Sequence, residues 1–388
     1  PGLWHAAIPQ FKCDGVLEQL TIRSPPMNSG KELILITGCS GRIGSTVVNR
    51  FKESSYQLIG LDIVPPAAAQ PPNFTYIQMD ISSPDSIKKA MREIKDRFGA
   101  HAAAFIHLAA YYNFTGGEWS KYENITVHGT AHLLAAAHEF KTEQFLFSST
   151  MLIHAPQDPP AKINEDSPLV TEAWEYPRSK IATEKVIREK HGDIPSVILR
   201  IAGCYDNDCH SIPISNQIQR IFENQFASHV LPGDISHGAS YLHLDDMAEV
   251  IWLCVQKRHE LPKETVLLVG EDETLSYDQL QNSISQLIWG KGLKTYRIPK
   301  WCAKIGAWLQ DHTPWMEESF IKPWMIDYAD DNYSLDISRI KNTLDWTPKH
   351  RLSQMLPIMI RDLKANPLKW YKINGLKVPK WLKTTNQS

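Results

Sequence analysis

The chain has no long apolar run, no surplus of charge of either sign and no regular cysteine pattern. Its longest apolar stretch, residues 102–110 broken by His107, falls far short of the roughly 20 residues a membrane-spanning helix needs. Lys and Arg number 41 against 43 Asp and Glu, a net charge of −2, which argues against a nucleic-acid surface. The six cysteines (Cys13, Cys39, Cys204, Cys209, Cys254 and Cys302) include no C-x-x-C pair. A disulfide scaffold is therefore not expected, and the thiols read as reduced. The opening residues show no charged segment followed by an apolar core, so secretion is not expected and the cytoplasm is the expected compartment. Charged residues at 22% and aromatics at 10% of 388 positions argue against global disorder, and the length suffices for a sizeable core.

What is present is alternation. Residues 1–30 lack periodicity and contain the break Ser24-Pro25-Pro26, so they read as an extension. Residues 32–37 (ELILIT) form a buried-strand run, followed by Ile43, Val47, Val48 and Phe51 at helical spacing. Further strands are expected at 57–62, 74–79, 103–108, 144–148 and 196–201. Ser83 and Pro84 mark the start of one intervening helix, and another is expected around 127–140. This order predicts an α/β fold with a doubly wound parallel sheet over 31–202. Beyond Cys204 the alternation decays, so 203–350 is expected to be mainly a smaller lobe interleaved with the sheet. Residues 351–388 form a basic, aromatic tail.

The first strand runs into Thr37-Gly38-Cys39-Ser40-Gly41-Arg42-Ile43-Gly44, a G-x-x-G-x-x-G loop opening a helix. Such glycines let the backbone turn tightly and approach a pyrophosphate lying on the helix N–H groups. Asp62 ends the second strand 18 residues after Gly44. A carboxylate there accepts the ribose hydroxyls of NAD and repels the 2′-phosphate of NADP. Arg42, in the same loop, could hold a phosphate. The plain alternatives are a tight turn and a strand-end aspartate. Tyr176-Pro177-Arg178-Ser179-Lys180 places a phenol and an ammonium one helical turn apart on one face. Tyrosine titrates near 10, too high for a base at neutral pH, and a neighbouring cation favours the phenolate. The strand 145–148 ends in Ser148-Ser149-Thr150, hydroxyls at the edge where such sheets bind ligands.

Together with Met79-Asp80-Ile81 and His107-Leu108-Ala109-Ala110, these motifs resemble the extended short-chain dehydrogenases, the NAD-dependent epimerase/dehydratase family, over about residues 31–350. The resemblance implies a Rossmann sheet with a smaller C-terminal substrate lobe, NAD as cofactor, and hydride transfer at a secondary alcohol or ketone of a sugar-like or other small substrate. It assigns cofactor contacts to Gly38, Ser40, Gly41, Arg42, Ile43, Gly44, Asp62, Leu108, Ser148, Tyr176 and Lys180. Asp80 would bind the adenine amino group, the Ile81 backbone N–H the ring, and Ala109 and Ala110 the nicotinamide ribose. The family's third hydroxyl stands three residues before a segment matched by Ile153-His154-Ala155, which selects Thr150, with Ser149 adjacent. Tyr176 would move the proton, Lys180 would lower its pKa and hold the ribose, and Thr150 would bind the reacting oxygen.

Several positions depart from the family. Thr126 replaces a helix asparagine, so that residue's role is not carried over. Met151 and Leu152 replace the dehydratases' Asp-Glu pair, which disfavours sugar dehydration. Ala239 stands where nucleotide-sugar enzymes place an arginine, and residues 324–331 hold three aspartates and no base. A diphosphate would lose its charge-assisted donors there. Trp301, Trp308, Trp315, Phe320 and Trp324 read as lobe packing, and His243, with Asp246 opening the next helix, as structural. Cys204, Cys209 and His210 lack a fourth ligand, so no metal is expected. In the tail, Arg361, Lys364, Lys369, Lys372, Lys377, Lys380 and Lys383 face only Asp362, and Trp370, Tyr371 and Trp381 are interleaved. Pro367, Gly375 and Pro379 break any long helix, which favours a packed strap over a membrane contact. Three readings stay open: an epimerase, a dehydrogenase or reductase of an apolar alcohol or ketone, and a non-catalytic NAD-sensing or assembly subunit. A homodimer is among the expected assemblies.

Overall fold

The computed structural model describes residues 30–113, 116–312 and 322–384; the expectations for the N-terminal extension, Cys13, Trp315 and Phe320 lie outside them. An eight-stranded parallel sheet forms the body. Its main strands are β1 (Leu33–Thr37), β2 (Gln57–Asp62), β3 (Phe74–Gln78), β4 (His101–His107), β5 (Phe145–Thr150), β6 (Ser196–Ile201) and β7 (Glu264–Val269). The spatial order is β3-β2-β1-β4-β5-β6-β7, with the two-residue strand Lys141–Thr142 pairing β4. The order reverses direction between β1 and β4, so the crevice for a ligand opens at their carboxyl ends.

Alternation within the strands separates two cores. Ile34, Ile36 and Leu58 face one layer, while Leu33, Leu35, Ile59 and Leu61 face the other. The first layer receives α1 (Arg42–Phe51) through Val47, Val48 and Phe51, and the second receives α2 (Pro84–Phe98) through Ile87, Met91, Ile94 and Phe98. Ser83 caps α2 by accepting the Ser86 N–H, with Pro84 at its first position. The helix expected around 127–140 starts earlier. It winds as a π-helix over Tyr122–His128 and then as α3 (Gly129–His138). Helix α4 (Glu175–Lys190) carries the Tyr-x-x-x-Lys motif.

Strand β7, beyond residue 203, returns to the sheet beside β6. Most of the remaining C-terminal helices build a separate apolar cluster. Helices α5 (Ile212–Phe222), α6 (Leu244–Gln256), α7 (Tyr277–Trp289) and α8 (Lys300–His312) come first, of which α6 packs on α1 in the first layer and α8 on the turn Pro323–Tyr328. The tail then folds as α9 (Leu352–Ala365), α10 (Pro367–Ile373) and α11 (Lys380–Thr384). Ile218 of α5, Ile284 of α7, Met359 of α9 and Trp370 of α10 meet in that cluster, so the tail is packed. One expectation is corrected here. Trp301 does not pack inward but stands exposed on α8, because the face turned to the protein is filled by Ala307 and by lysines held in ion pairs.

Candidate active site

At the head of the crevice the glycine loop is shaped by contacts that exclude side chains. Gly38 has φ +72°, and a Cβ on it would lie 2.9 Å from the Ala109 nitrogen. A Cβ on Gly44 would lie 2.1 Å from the Gly38 carbonyl oxygen. The loop therefore closes on itself and against the segment following β4. Gly41 is the N-cap of α1 and no side chain caps that helix. The amides of Arg42, Ile43 and Gly44 in its first turn have no intrahelical acceptor by geometry, which makes this end a cradle for an anion. The Ser40 N–H instead donates to Asp62 (3.0 Å) and its hydroxyl to the Val64 carbonyl (2.7 Å). Asp62 also accepts the Ile63 N–H at 2.8 Å. Its carboxylate is thus pinned beside the loop, and each oxygen retains accepting capacity.

The neighbouring positions fall around the same crevice. Thr37 Oγ1 accepts the N–H groups of Leu108 and Ala109, both at 3.2 Å, and lies 2.7 Å from His107 Nδ1. The other His107 nitrogen meets Thr130 at 2.9 Å. Burial, with the Lys180 charge nearby, pushes this imidazole down to about 3, so it is a neutral tie between β1, β4 and α3. Ala110 follows, half-buried. Asp80 is exposed after β3, where its carboxylate accepts the N–H and hydroxyl of Ser82. Ile81 is buried against Gly129, where a Cβ would come within 2.8 Å of its side chain. Thr126 accepts the Tyr111 N–H at 3.0 Å.

The end of β5 separates two adjacent hydroxyls. Ser149 donates to Glu184 at 2.6 Å, and that carboxylate also accepts from Arg200 and Arg188. Burial pushes the Glu184 carboxyl up, but Arg200 and its other partners hold it below the ordinary range. Ser149 is thus committed to a buried ionic network. Thr150 makes no such link: its hydroxyl accepts the Leu152 N–H at 3.3 Å and lies close enough to the Tyr176 phenol to favour its ionised form. Lys180 Nζ donates to the Ser148 carbonyl at 2.7 Å and stands 5.9 Å from the Tyr176 ring centroid. Burial pushes the Lys180 nitrogen down to about 7, against the pull of Glu184. Burial raises the Tyr176 phenol above its ordinary value. Without a ligand the phenol is therefore protonated at neutral pH while the lysine is near its titration point.

Around Tyr176 the walls are aromatic. The Tyr112 ring lies 5.0 Å from it and Trp174 5.5 Å; Trp324, in the short 3-10 turn Pro323–Tyr328, stands 5.4 Å from Trp174. Tyr328 follows at 6.2 Å from Trp324, with burial and then Asp331, Asp327, Glu175 and Glu172 raising its phenol. Ala239 lies in extended backbone bridged to Tyr333. Met151 is buried in the core and Leu152 packs against it, so neither position carries a proton donor. Tyr112 and Trp174 were not among the residues singled out from sequence. Their positions, two after Ala110 and two before Tyr176, are the signal that could have marked them.

The lobe motifs are structural in their contacts. His243 accepts the Asp245 N–H and stacks on His350 at 4.0 Å, while Asp246 is buried and accepts the N–H groups of Lys349 and His350. His210 pairs with Asp206 rather than with Cys204 and Cys209. Among the described residues, His243, Asp245 and His350 are the trio whose ligand atoms lie within 4.8 Å of one another.

The chain's similarities agree with this geometry. Residues 34–270, more than half of the chain, match the model of a family described as the NAD dependent epimerase/dehydratase family. A 3-beta-hydroxysteroid dehydrogenase of Mycolicibacterium neoaurum is 24% identical over 226 residues, 56% of this chain and 60% of that protein. The chain thus spans less than two thirds of that relative's length. A dTDP-D-glucose 4,6-dehydratase of Bos taurus is 26% identical over 278 residues, 68% of this chain and 75% of its own. The crystal structure of a dTDP-glucose 4,6-dehydratase from Bacillus anthracis, solved with NAD, superposes with a TM-score of 0.64 at 19% identity, covering 88% of this chain and 99% of that one. That last likeness is one of fold.

Proposed function

Because the chain belongs to the NAD dependent epimerase/dehydratase family, we propose that it is a dehydrogenase or reductase moving hydride between NAD and a secondary alcohol or ketone on an uncharged, largely apolar small molecule. Members of this family are enzymes, and NAD is their cofactor. The glycine loop fits a dinucleotide, since the uncapped first-turn amides of α1 are free to meet its phosphates and the close backbone approaches at Gly38 and Gly44 hold them in place. Asp62 would hold the adenosine ribose, Asp80 and Ile81 the adenine, and Ala109, Ala110 and Lys180 the nicotinamide ribose. Bound NAD supplies the hydride acceptor and donor.

The chain's own groups handle the proton. Tyr176, protonated at neutral pH, gives its phenolic hydrogen to a carbonyl oxygen, and in the reverse direction takes the hydrogen of an alcohol. Thr150, beside that phenol, hydrogen-bonds the same oxygen and fixes its approach. The Lys180 ammonium, tied to the Ser148 carbonyl, favours the phenolate when Tyr176 must act as base.

The aromatic wall on Tyr176 is the single observation that carries the substrate class. Trp174, Trp324 and Tyr112 offer ring faces and no cation, while Glu172, Glu175, Asp327 and Asp331 surround the rim. An anionic diphosphate would meet like charge without an arginine to hold it. Met151 and Leu152 likewise speak against elimination of water. To test the reading, the purified protein is denatured, any released nucleotide is identified, and the native protein is assayed with NAD against alicyclic alcohols and UDP-sugars. Turnover of the alcohols with cofactor exchange is expected. Stoichiometric NAD retained through purification, with interconversion of UDP-sugars, would replace this reading by an epimerase. Absence of NAD binding would leave a non-catalytic subunit.

A further inference from the structure

Helix α4 is fastened to the end of β5 by two rungs. Lys180 Nζ donates to the Ser148 carbonyl at 2.7 Å, and one turn further on Glu184 accepts the Ser149 hydroxyl at 2.6 Å. Tyr176, Lys180 and Glu184 thus follow one another one turn apart along the helix. The pairing of β5 with β6 sets Ser149 opposite Arg200, whose guanidinium meets both Glu184 oxygens, at 3.1 and 2.8 Å. Its remaining nitrogen donates to the Glu165 carbonyl at 2.8 Å and lies 3.2 Å from His154. Arg188 adds a bond to Glu184 at 2.8 Å. The Glu184 and Arg200 side chains are 1% and 4% exposed, so this network lies inside the protein.

A buried ion pair recovers little of what its desolvation costs, and apolar side chains of similar volume are often no worse for stability. What they lack is direction. We propose that Glu184 is a positioning residue of the active site: it fixes the register of α4 against the end of β5, and its charge steadies the Lys180 ammonium. This rests on the roles given above to Thr150, Tyr176 and Lys180. The register follows from the strand. Ser148 and Thr150 flank Ser149, so a slip of that residue moves the acceptor of the lysine and the reactive hydroxyl together. Through the Glu165 carbonyl, Arg200 also holds the chain between Thr150 and Tyr176. The charge role follows from what faces Lys180. Strand β5 presents the Ser148 carbonyl and the Phe147 ring, 4.6 Å away, and β4 presents the neutral His107. Helix α4 presents the Tyr176 ring and Glu184, while the cations Arg200 and Arg188 bond to Glu184 itself. Glu184 is the anion in this set, and it opposes the burial that pushes the lysine down.

The test is the titration of Lys180 in the ligand-free full chain, followed by NMR of isotope-labelled lysine side chains with the resonance assigned through Lys180→Met. Glu184→Gln keeps an acceptor for Ser149 but removes the charge, so the Lys180 midpoint should fall by about one pH unit or more. Glu184→Asp keeps the charge and should restore most of that shift. Arg188→Gln, at the partly exposed partner, frees more of the Glu184 charge and should move the midpoint upward. A merely structural carboxylate would not give opposite shifts in the two variants. An unmoved midpoint in folded Glu184→Gln overturns the charge role; should that variant not fold, an unmoved midpoint in Arg188→Gln does so. Ser149→Ala removes the rung to β5 and spares the ion pair. It should lower kcat by about tenfold with NAD affinity and the Lys180 midpoint unchanged. A Ser149→Ala protein that is weaker in urea yet keeps the wild-type kcat overturns the register role. The titration needs no substrate, so a wild type inert toward every alcohol and ketone would strike the hydride-transfer reading while the Lys180 shifts still decide the role of Glu184.

Discussion

The two ends of the crevice are built from different material. At the cofactor end the walls are backbone: Gly38 meets the segment after β4 and Gly44 meets Gly38 itself so closely that no Cβ fits at either. At the substrate end the walls are rings, brought from three separate segments at Tyr112, Trp174 and Trp324. A site made of main-chain amides must keep its shape whatever the substrate, and it leaves a fixed spacing of glycines in the sequence. A site made of side chains can be rebuilt residue by residue without disturbing the sheet. The first end defines a family, and the second distinguishes one member from another.

Four substitutions break or sharpen that contrast. Tyr176→Phe acts where the ends meet and should lower turnover by roughly 10²–10⁴-fold while leaving NAD affinity unchanged, measured by calorimetry and steady-state kinetics. Full activity would remove Tyr176 from the mechanism. Gly44→Ala attacks the backbone end alone. A methyl 2.1 Å from the Gly38 oxygen should weaken NAD binding by about ten- to hundredfold, a strain of about 1–3 kcal/mol, with the fold retained by circular dichroism. Should the KM of the proposed apolar substrate move while NAD affinity holds, the division between the ends would collapse. Trp174→Ala attacks the ring end. It should raise that KM by about tenfold with little change in kcat, since the ring supplies contact area rather than a proton.

The smallest effect is electrostatic. Lys180, pushed down to about 7 in the folded protein, keeps its ordinary value of 10.5 when unfolded. Between those values the unfolded chain binds more protons, so stability without ligand rises with pH across that window. Below about 7 both states hold the proton and this group adds no slope. Lys180→Met should flatten the rise in urea midpoints; an unchanged rise would assign it to other groups.

Legibility in the sequence followed the same division. Strands β2 and β6 lie at the residues expected, because buried parallel strands read as short, mainly apolar runs, here QLIGLD and SVILRI. Gly44, Asp62, Thr150, Tyr176 and Lys180 could be named as candidates because motif spacing along the chain marks each of them. Thr150 was chosen over the adjacent Ser149 only through the resemblance, since which of two neighbours is tied into the core depends on where Glu184 and Arg200 arrive. Tyr112 and Trp324 were invisible as partners because their rings belong to segments about 200 residues apart. The outward Trp301 of α8 was misread for a related reason. Apolar periodicity shows that a stripe exists but not which way it faces, and here Asp327 and Asp330 claim the opposite side of the helix.

The tether between Lys180 and the Ser148 carbonyl has a thermodynamic consequence. A lysine carries up to about 2 kcal/mol of rotamer freedom, and a flexible one would surrender it when the dinucleotide arrived. In this protein the side chain is ordered when the sheet forms, so that loss belongs to folding rather than to association. The ammonium is preorganised, and the calorimetric entropy of NAD binding should carry no penalty for stilling it.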